Sequence, residues 1–158
     1  PVSEVRIEGA EDAVAGDAVV PAIEAAEVVV IAPSNPIVSI GPVLAVPGVR
    51  QAVTTRRERV VAVSPIIAGS ALKGPADRLL TELGHESSVV GVARLYRDVA
   101  ATLVIAEADR ALADAVEAEG IRCVVAPTIM SGPAEAAALA EVVLAAGRTA
   151  ATDDGAPA

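Results

Sequence analysis

Short apolar runs alternate with amphipathic stretches along this chain. The runs cover residues 28–31, 60–63, 102–105 and 121–125 and are rich in Val and Ile. Continuous β-branched runs of this length are typical of strands that are covered on both faces, as in a parallel sheet. The pattern therefore predicts an α/β sheet whose strands are buried.

Helical spacing of apolar residues fills the intervals between these runs. We predict helices over residues 18–27, 49–55, 76–83, 89–99, 109–119 and 134–146, with a further helix that opens at Pro42 and breaks at Pro47-Gly48. Gly84 is placed to cap one helix at its C terminus, and Asp109 to cap another at its N terminus. This alternation predicts a Rossmann-like three-layer α/β fold with a mainly parallel sheet.

The two ends of the chain carry different patterns. Residues 5–8 alternate apolar and polar side chains, which predicts a short, half-exposed strand that ends at Gly9. Residues 147–158 form a polar stretch that predicts a disordered tail. The folded domain is therefore expected to cover residues 1–146.

Composition changes the expected core. The chain has 158 residues, of which 53% are hydrophobic, yet Phe and Trp are absent and Tyr96 is the sole aromatic residue. A core of Ala, Val, Ile and Leu forms thin layers and lets helices pack closely on a parallel sheet. No apolar run approaches the roughly 20 residues of a membrane-spanning helix. The hydrophobicity therefore predicts an internal core and no membrane partner.

Charge and cysteine content exclude two classes of site. A net charge of −9 and an isoelectric point near 4.5 argue against a nucleic-acid surface, because such a surface needs clustered Lys and Arg. The chain has one cysteine, Cys123, and one histidine, His85, so it lacks an internal disulfide and a Cys/His zinc site. We expect a cytoplasmic protein.

A polar turn follows the first predicted strand. Ser34 and Asn35 lie between two prolines, and Ser39 follows before the helix at Pro42. Ligands of parallel sheets bind at the carboxyl ends of the strands, which makes Ser34, Asn35 and Ser39 candidate binding residues. The same residue types satisfy backbone groups in ordinary strand-to-helix turns, so both interpretations stand.

A second polar turn follows residues 60–63. Ser64, Gly69 and Gly74 surround Lys73, the only lysine of the chain. The spacing is not that of a P-loop, but the glycines allow close backbone approach, and a helix that starts near Pro75 would point its free amides at the same place. A phosphate site and a plain helix start beside a solvated lysine both fit this pattern.

Other charged residues have simpler interpretations. Residues 56–59 are a basic cluster that predicts a solvated connection, and Glu107, Asp109 and Asp114 predict a solvated helix face and cap rather than a metal cluster. Arg94 could reach a ligand anion, or it could form a structural ion pair with Asp98 or contact a helix end. We name no catalytic and no metal-binding residue.

Three motifs in a fixed order carry a family resemblance. They are PSNPIVSIGP from Pro33, SPIIAGSALKGPA from Ser64 and GVARLY from Gly91. In this order they resemble the C-terminal half of the CofD-type transferases, the 2-phospho-L-lactate transferases of coenzyme F-420 biosynthesis, over roughly residues 5–144. The chain departs from the family at Pro127, where members commonly have an aspartate before Thr-x-Met. Any role of that aspartate is not carried over.

The resemblance implies a reaction. Such enzymes transfer a phospholactyl or phosphoenolpyruvyl group from a guanosine-diphosphate-activated donor to the deazaflavin Fo, and they release GMP. The resemblance also implies magnesium, with ligands expected in the N-terminal half of the family, and it favours a phosphate at the second turn. We therefore expect an incomplete domain that contributes nucleotide or substrate binding, is inactive alone and forms a homodimer.

Two alternatives to a transferase stay open. One is a nucleotide-sugar-binding regulator similar to the gluconeogenesis-factor relatives, which share the fold without the transfer chemistry. The other is a truncated structural remnant without a ligand. The sequence encoded just upstream of Pro1 distinguishes them, because the transferase needs a glycine-rich turn and acidic residues in frame.

Overall fold

A four-stranded parallel sheet forms the centre of the computed structural model, which describes residues 1–10 and 12–153. Its strands are β1 (Val29–Ile31), β2 (Val60–Val63), β5 (Thr102–Ala106) and β6 (Arg122–Ala126), in the order β1-β2-β5-β6. Between β2 and β5 the chain forms an antiparallel hairpin of β3 (Ile66–Ile67) and β4 (Ser70–Ala71). The predicted α/β class with a mainly parallel sheet is confirmed.

Helices connect the strands. They are α1 (Val19–Ala25), α2 (Gly41–Ala45), α3 (Val49–Thr55), α4 (Ala76–Glu82), α5 (Val89–Tyr96), α6 (Ala113–Glu117) and α7 (Pro133–Asp153). A π-helical turn, Pro36–Ile40, precedes α2, and 3-10 turns cover Arg57–Arg59 and Glu107–Leu112. In the described part of the chain no single helix is long and apolar enough to cross a membrane; Pro36–Ala45 and Val49–Thr55 meet the length and composition criteria only as a pair bent by 97°.

The sheet separates two apolar layers, because neighbouring residues of a strand face opposite sides. Val60 and Ala62 of β2 pack in the larger cluster with residues of α2 to α6, including Leu44, Leu80 and Val116. Val61 and Val63 face the other side, where they pack with Leu139 and Val143 of α7. Helices therefore cover both faces, which gives the predicted three layers.

Strand β1 corrects one prediction. Residues 28–31 read as a strand covered on both faces, but β1 lies at the edge of the sheet that the described residues form, where it pairs with β2. Ile31 is buried against the larger cluster, whereas Val30 points to the face of α7 and is 47% exposed. A continuous apolar run does not show which face of a strand stays uncovered, so the sequence could not show the exposure of Val30.

Helix α7 extends beyond its predicted end. The prediction ended the helix at 146 and began a tail at Gly147, but the helix continues to Asp153. Gly147 is buried against Val28, the residue before β1, and a Cβ atom at this position would lie 2.5 Å from Cγ1 of Val28. A glycine thus brings the helix close to the sheet here. Residues 154–158 of the predicted tail lie outside the described residues.

The N-terminal segment and residue Asp109 also differ from their predictions. Residues 5–8 form no strand; instead the backbone N–H of Val2 donates to Oε2 of Glu82 at 2.7 Å, which holds the segment against α4 and away from a strand edge.

Asp109 does not cap a helix, because the 3-10 turn before α6 starts at Glu107, and its carboxylate is buried. Alternation and cap preference are local signals, and in both cases a distant partner decides the structure.

Helix α5 carries the third motif in a structural role. Arg94 forms ion pairs with Glu86 and Glu119, each at 2.7 Å, so the predicted structural ion pair exists but its predicted partner, Asp98, was wrong. Hydrogen bonds from Ser88 and Arg94 lower the pKa of Glu86. Gly91 lies so close to the carbonyl oxygen of Glu86 that an added Cβ would be 1.9 Å from it. The motif therefore fixes the corner between α4 and α5.

The basic cluster and the predicted cap have clear outcomes. Arg57 donates to the carbonyl oxygens of Arg97 and Gly120 at 2.7 Å, so this part of the cluster ties loops together at the amino end of the sheet. Gly84 adopts φ +79° after α4, where its N–H bonds to Thr81 and that of His85 to Leu80. This hydrogen-bond pattern is a Schellman cap, as predicted.

Candidate functional site

A cavity of about 500 Å³ lies at the carboxyl edge of the sheet. Three loops line it: the one after β1, the one that includes the hairpin after β2, and the one after β6. Its volume falls in the range of small-molecule sites, and its place at the strand ends is where ligands bind in parallel α/β sheets. It is therefore the candidate binding site.

The first loop is organised by Asn35. Its Oδ1 atom accepts the backbone N–H groups of Ile37 at 2.8 Å and Val38 at 3.2 Å, which caps the π-helical turn. Pro36 occupies the first position of this turn, where a missing N–H costs nothing. Ser34, Asn35 and Ser39 all line the cavity, as the sequence placed them. The turn and binding interpretations are thus compatible, because the cap uses only one end of the Asn35 amide.

The other end of that amide lacks a partner. In the described part of the chain, Nδ2 of Asn35 is buried and makes no hydrogen bond. The cap fixes the orientation of the amide group, since Nδ2 cannot accept the two N–H groups that Oδ1 accepts. Asn35, which lines the cavity, therefore holds a buried and unused hydrogen-bond donor.

The second loop contains a hydroxyl group that is already satisfied. Ser64 is buried and lines the cavity, but its Oγ atom donates to the carbonyl oxygen of Ile66 at 3.0 Å and accepts the N–H of the same residue at 3.1 Å. This side chain starts the β3–β4 hairpin. Ser64 therefore lines the cavity, while its hydroxyl group holds the turn.

Lys73 and Gly74 follow the hairpin and line the cavity. Gly74 has φ +75°, a conformation that favours glycine, and this turns the chain into α4. The Lys73 side chain is exposed, and among the described side chains it has neither a hydrogen bond nor an ion pair. Helix α4 has only seven residues, so the charge of Lys73 is the stronger argument for an anion at this position.

Gly69 is the one predicted site residue that does not line the cavity. It lies in the tip of the hairpin with φ +78°, and its carbonyl oxygen accepts the hydroxyl of Ser87 at 3.0 Å. The tip is therefore fastened to the start of α5. Sequence spacing placed Gly69 near Lys73 but could not show the short hairpin that separates them.

The third loop was missed as part of the site. Thr128, Ile129 and Met130 follow β6 and line the cavity. Thr128 is 5% exposed, and its Oγ1 atom is buried without a hydrogen-bond partner within the described residues. Because this segment follows a parallel strand, the rule that points to the first two loops also points to it.

The walls combine apolar side chains with neutral polar groups. Val38, Leu72, Ile129 and Met130 line the cavity and are 42–60% exposed. Lys73 is the only charged residue among the lining residues. Such a site suits a ligand with an apolar surface and an anionic end.

The described residues do not fit a divalent metal. None of the lining residues carries a carboxylate, and within the described ranges no group of three or more His, Cys, Asp and Glu residues could hold a metal ion. Magnesium prefers carboxylate oxygens, substrate phosphates and water as ligands. No step of the reaction is therefore assigned to a metal held by these residues.

The chain is similar to known proteins over most of its length. The family model of the 2-phospho-L-lactate transferase CofD matches residues 1–143. The chain is 40% identical over 145 residues to a 2-phospho-L-lactate transferase of Methanosarcina mazei, with 92% of the chain and 47% of the relative covered. It is also 40% identical over 137 residues to a phosphoenolpyruvate transferase of Streptomyces griseus, with 86% and 43% covered. The chain thus spans less than half the length of these relatives and aligns with their C-terminal part.

Proposed function

The chain belongs to the CofD family of 2-phospho-L-lactate transferases, and from this premise we propose that it forms the substrate-binding part of a transferase of coenzyme F-420 biosynthesis. The intact protein transfers a phospholactyl or phosphoenolpyruvyl group from a guanosine-diphosphate-activated donor to the deazaflavin Fo. In this reaction the terminal ribityl hydroxyl oxygen of Fo forms a bond to the phosphorus atom of the transferred group. The bond between that phosphorus atom and the oxygen of the GMP phosphate breaks, GMP leaves with this oxygen, and the hydroxyl group loses its proton. The chain binds these compounds without supplying a catalytic residue.

The cavity at the strand ends is the observation that carries this proposal. Lys73 lines this cavity without a partner among the described side chains, and a cation at this position can bind the diphosphate of the donor. The apolar side chains of Val38, Ile129 and Met130 offer a surface for a ring system. A donor nucleotide and a deazaflavin each combine a ring with a polar chain, so both fit a site of this composition.

Magnesium would neutralise charge on the diphosphate when it is bound. The lining residues offer it no carboxylate, so its ligands are assigned to no residue of this chain. The contribution of this chain is positional: the two motif loops hold the compounds so that the hydroxyl oxygen meets phosphorus. Such positioning accounts for much of the catalysis of phosphoryl transfer.

A product assay tests the proposal. The intact native protein that contains this chain is incubated with magnesium, an activated donor and Fo, and mass spectrometry follows the deazaflavin product and GMP. Equimolar formation of both is expected, whereas the 158-residue chain alone should give neither. Binding of a nucleotide compound without any transfer would favour the regulatory alternative, and turnover by the chain alone would refute the proposed division of labour.

A further inference from the structure

Two unused hydrogen-bonding groups belong to residues that line the same cavity. They are Nδ2 of Asn35, in the loop after β1, and Oγ1 of Thr128, in the loop after β6. A buried polar group without a partner destabilises a protein, so most such groups are paired in native structures. The two loops approach the cavity from opposite edges of the sheet, which makes their orphan groups independent observations.

Thr102 also has a buried hydroxyl group without a partner among the described residues, but it does not line the cavity. This residue is fully buried at the first position of β5, and its Oγ1 atom also lacks a partner in the described part of the chain. It does not line the cavity, since the cavity lies at the opposite end of the strands. An orphan hydroxyl therefore does not by itself indicate a ligand. Thr128 differs from Thr102 because it lines a cavity that is also lined by Asn35, a second residue with an unpartnered donor.

We propose that Thr128 binds the ring of a substrate, by a hydrogen bond from its hydroxyl group to a carbonyl oxygen of a planar heteroaromatic ring. This inference rests on the proposed function and assigns a residue of the third loop to the site. The hydroxyl lies beneath the cavity wall, and a turn of about 120° about χ1 exchanges it for the methyl group of the same side chain. The bound ring supplies the partner that the free protein lacks.

The surroundings of Thr128 favour a ring over a phosphate. Ile129 and Met130 continue the same loop as exposed apolar side chains, 53% and 48% exposed, and they suit the face of an aromatic ring. The cation of the site, Lys73, belongs to a different loop. Fo and guanine nucleotides both carry ring carbonyl groups, and the test separates them.

The test replaces Thr128 in the intact native protein and measures stability and binding together. Thr128→Val keeps the shape of the side chain and removes the hydroxyl, so the melting temperature should rise by about 1–4 °C. The same variant should bind either Fo or GDP about three- to tenfold more weakly, the loss expected for one hydrogen bond. Affinity for pyrophosphate, which has no ring, should not change. Thr128→Ser retains the hydroxyl and should bind like the wild type.

Thr102→Val is the matched control. It removes a second buried, unpartnered hydroxyl, so it should raise the melting temperature while it leaves the affinities for Fo, GDP and pyrophosphate unchanged. A fall in affinity with Thr128→Val and not with Thr102→Val assigns the effect to the cavity. Whichever of Fo and GDP loses affinity is the compound whose ring Thr128 binds.

Several results would overturn the inference. It is wrong if Thr128→Val binds Fo and GDP like the wild type, if pyrophosphate loses affinity as much as they do, or if Thr128→Ser is as weak as Thr128→Val. The proposed function and this inference can fail separately. Product formation by a Thr128→Val protein with unchanged affinities refutes only the inference, whereas a ring-specific loss in a protein that forms no product refutes only the function. If the wild type binds neither ring compound, both are wrong.

Discussion

The backbone N–H of Ala68 donates to both carboxylate oxygens of Asp109, each at 3.1 Å, across 41 residues of sequence. Ala68 has φ +49°, a left-handed conformation that is uncommon for a residue other than glycine. The buried carboxylate thus holds the turn of the β3–β4 hairpin. Since the chain leaves this hairpin directly into Leu72 and Lys73, Asp109 positions a cavity wall without lining the cavity.

We expect Asp109→Ala to loosen this hairpin. Loss of the carboxylate leaves the N–H of Ala68 unpaired, and the free energy of unfolding should fall by about 1–3 kcal/mol. Hydrogen exchange should show faster exchange at residues 66–73 than in the central strands. Glu107→Ala is the control, since Glu107 is exposed and its one ion-pair partner among the described residues is Arg110 on the same turn. Equal effects of the two substitutions would contradict a role for Asp109 in the hairpin.

The central part of the fold is accessible from sequence because its signals are local. Residues 60–63 form β2 with every residue buried, and Gly84 caps α4, because a β-branched run and a glycine after a helix each act within a few residues. The edge position of β1 and the carboxylate of Asp109 depend instead on contacts across the sheet. No local pattern of side chains encodes them.

The candidate site was likewise predictable from the sequence only in part. Strand ends and motifs placed Ser34, Asn35, Ser39, Ser64, Lys73 and Gly74 at one cavity. The sequence could not show that Asn35 and Ser64 each use a side-chain oxygen atom to hydrogen-bond the backbone of a turn, since this depends on side-chain torsion angles. Nor could it show that Thr128 lacks a partner, because that depends on everything packed around it.

We expect Gly91→Ala to destabilise the protein strongly. The new Cβ atom would lie 1.9 Å from the carbonyl oxygen of Glu86, a backbone atom that cannot move without shifting the start of α5. Overpacking of this kind costs about 3 kcal/mol. Gly16→Ala is the control, because the nearest atom to its new Cβ would be a Val19 methyl group at 3.8 Å. Thermal denaturation compares the two, and a melting temperature of Gly91→Ala close to that of Gly16→Ala would refute the close approach.

We expect the 158-residue chain by itself to associate through β1. This strand ends the sheet, and Val30 lies 47% exposed beside its unpaired edge. Exposed edges and apolar side chains recruit further strands. Sedimentation velocity should show dimers or larger species that Val30→Lys reduces, since a lysine on an edge strand opposes pairing. Val43→Lys is the control, because Val43 is 57% exposed but belongs to helix α2 and not to the edge strand. A monomer at high concentration would contradict the expectation.

Lys73→Met tests whether the second motif loop binds an anion. Methionine retains most of the apolar stem of the side chain and removes the charge. Because Lys73 has no partner among the described side chains, the melting temperature of Lys73→Met should equal that of the wild type. Binding of GDP to the intact protein should weaken by about 1.5 kcal/mol, the lower end for a charge-assisted hydrogen bond because the side chain is exposed. The difference should shrink in high salt, which screens exposed charges.

Arg78→Met provides the comparison for Lys73→Met in the same calorimetric titration. Arg78 is an exposed cation on α4 that pairs with Glu82 at 2.9 Å and does not line the cavity. Its loss changes the net charge by the same amount, so any long-range effect on an anionic ligand appears in both variants. A larger loss with Lys73→Met indicates a direct contact. Equal losses, or none, would show that Lys73 is a solvated neighbour of α4, and the phosphate would then have to bind to other residues.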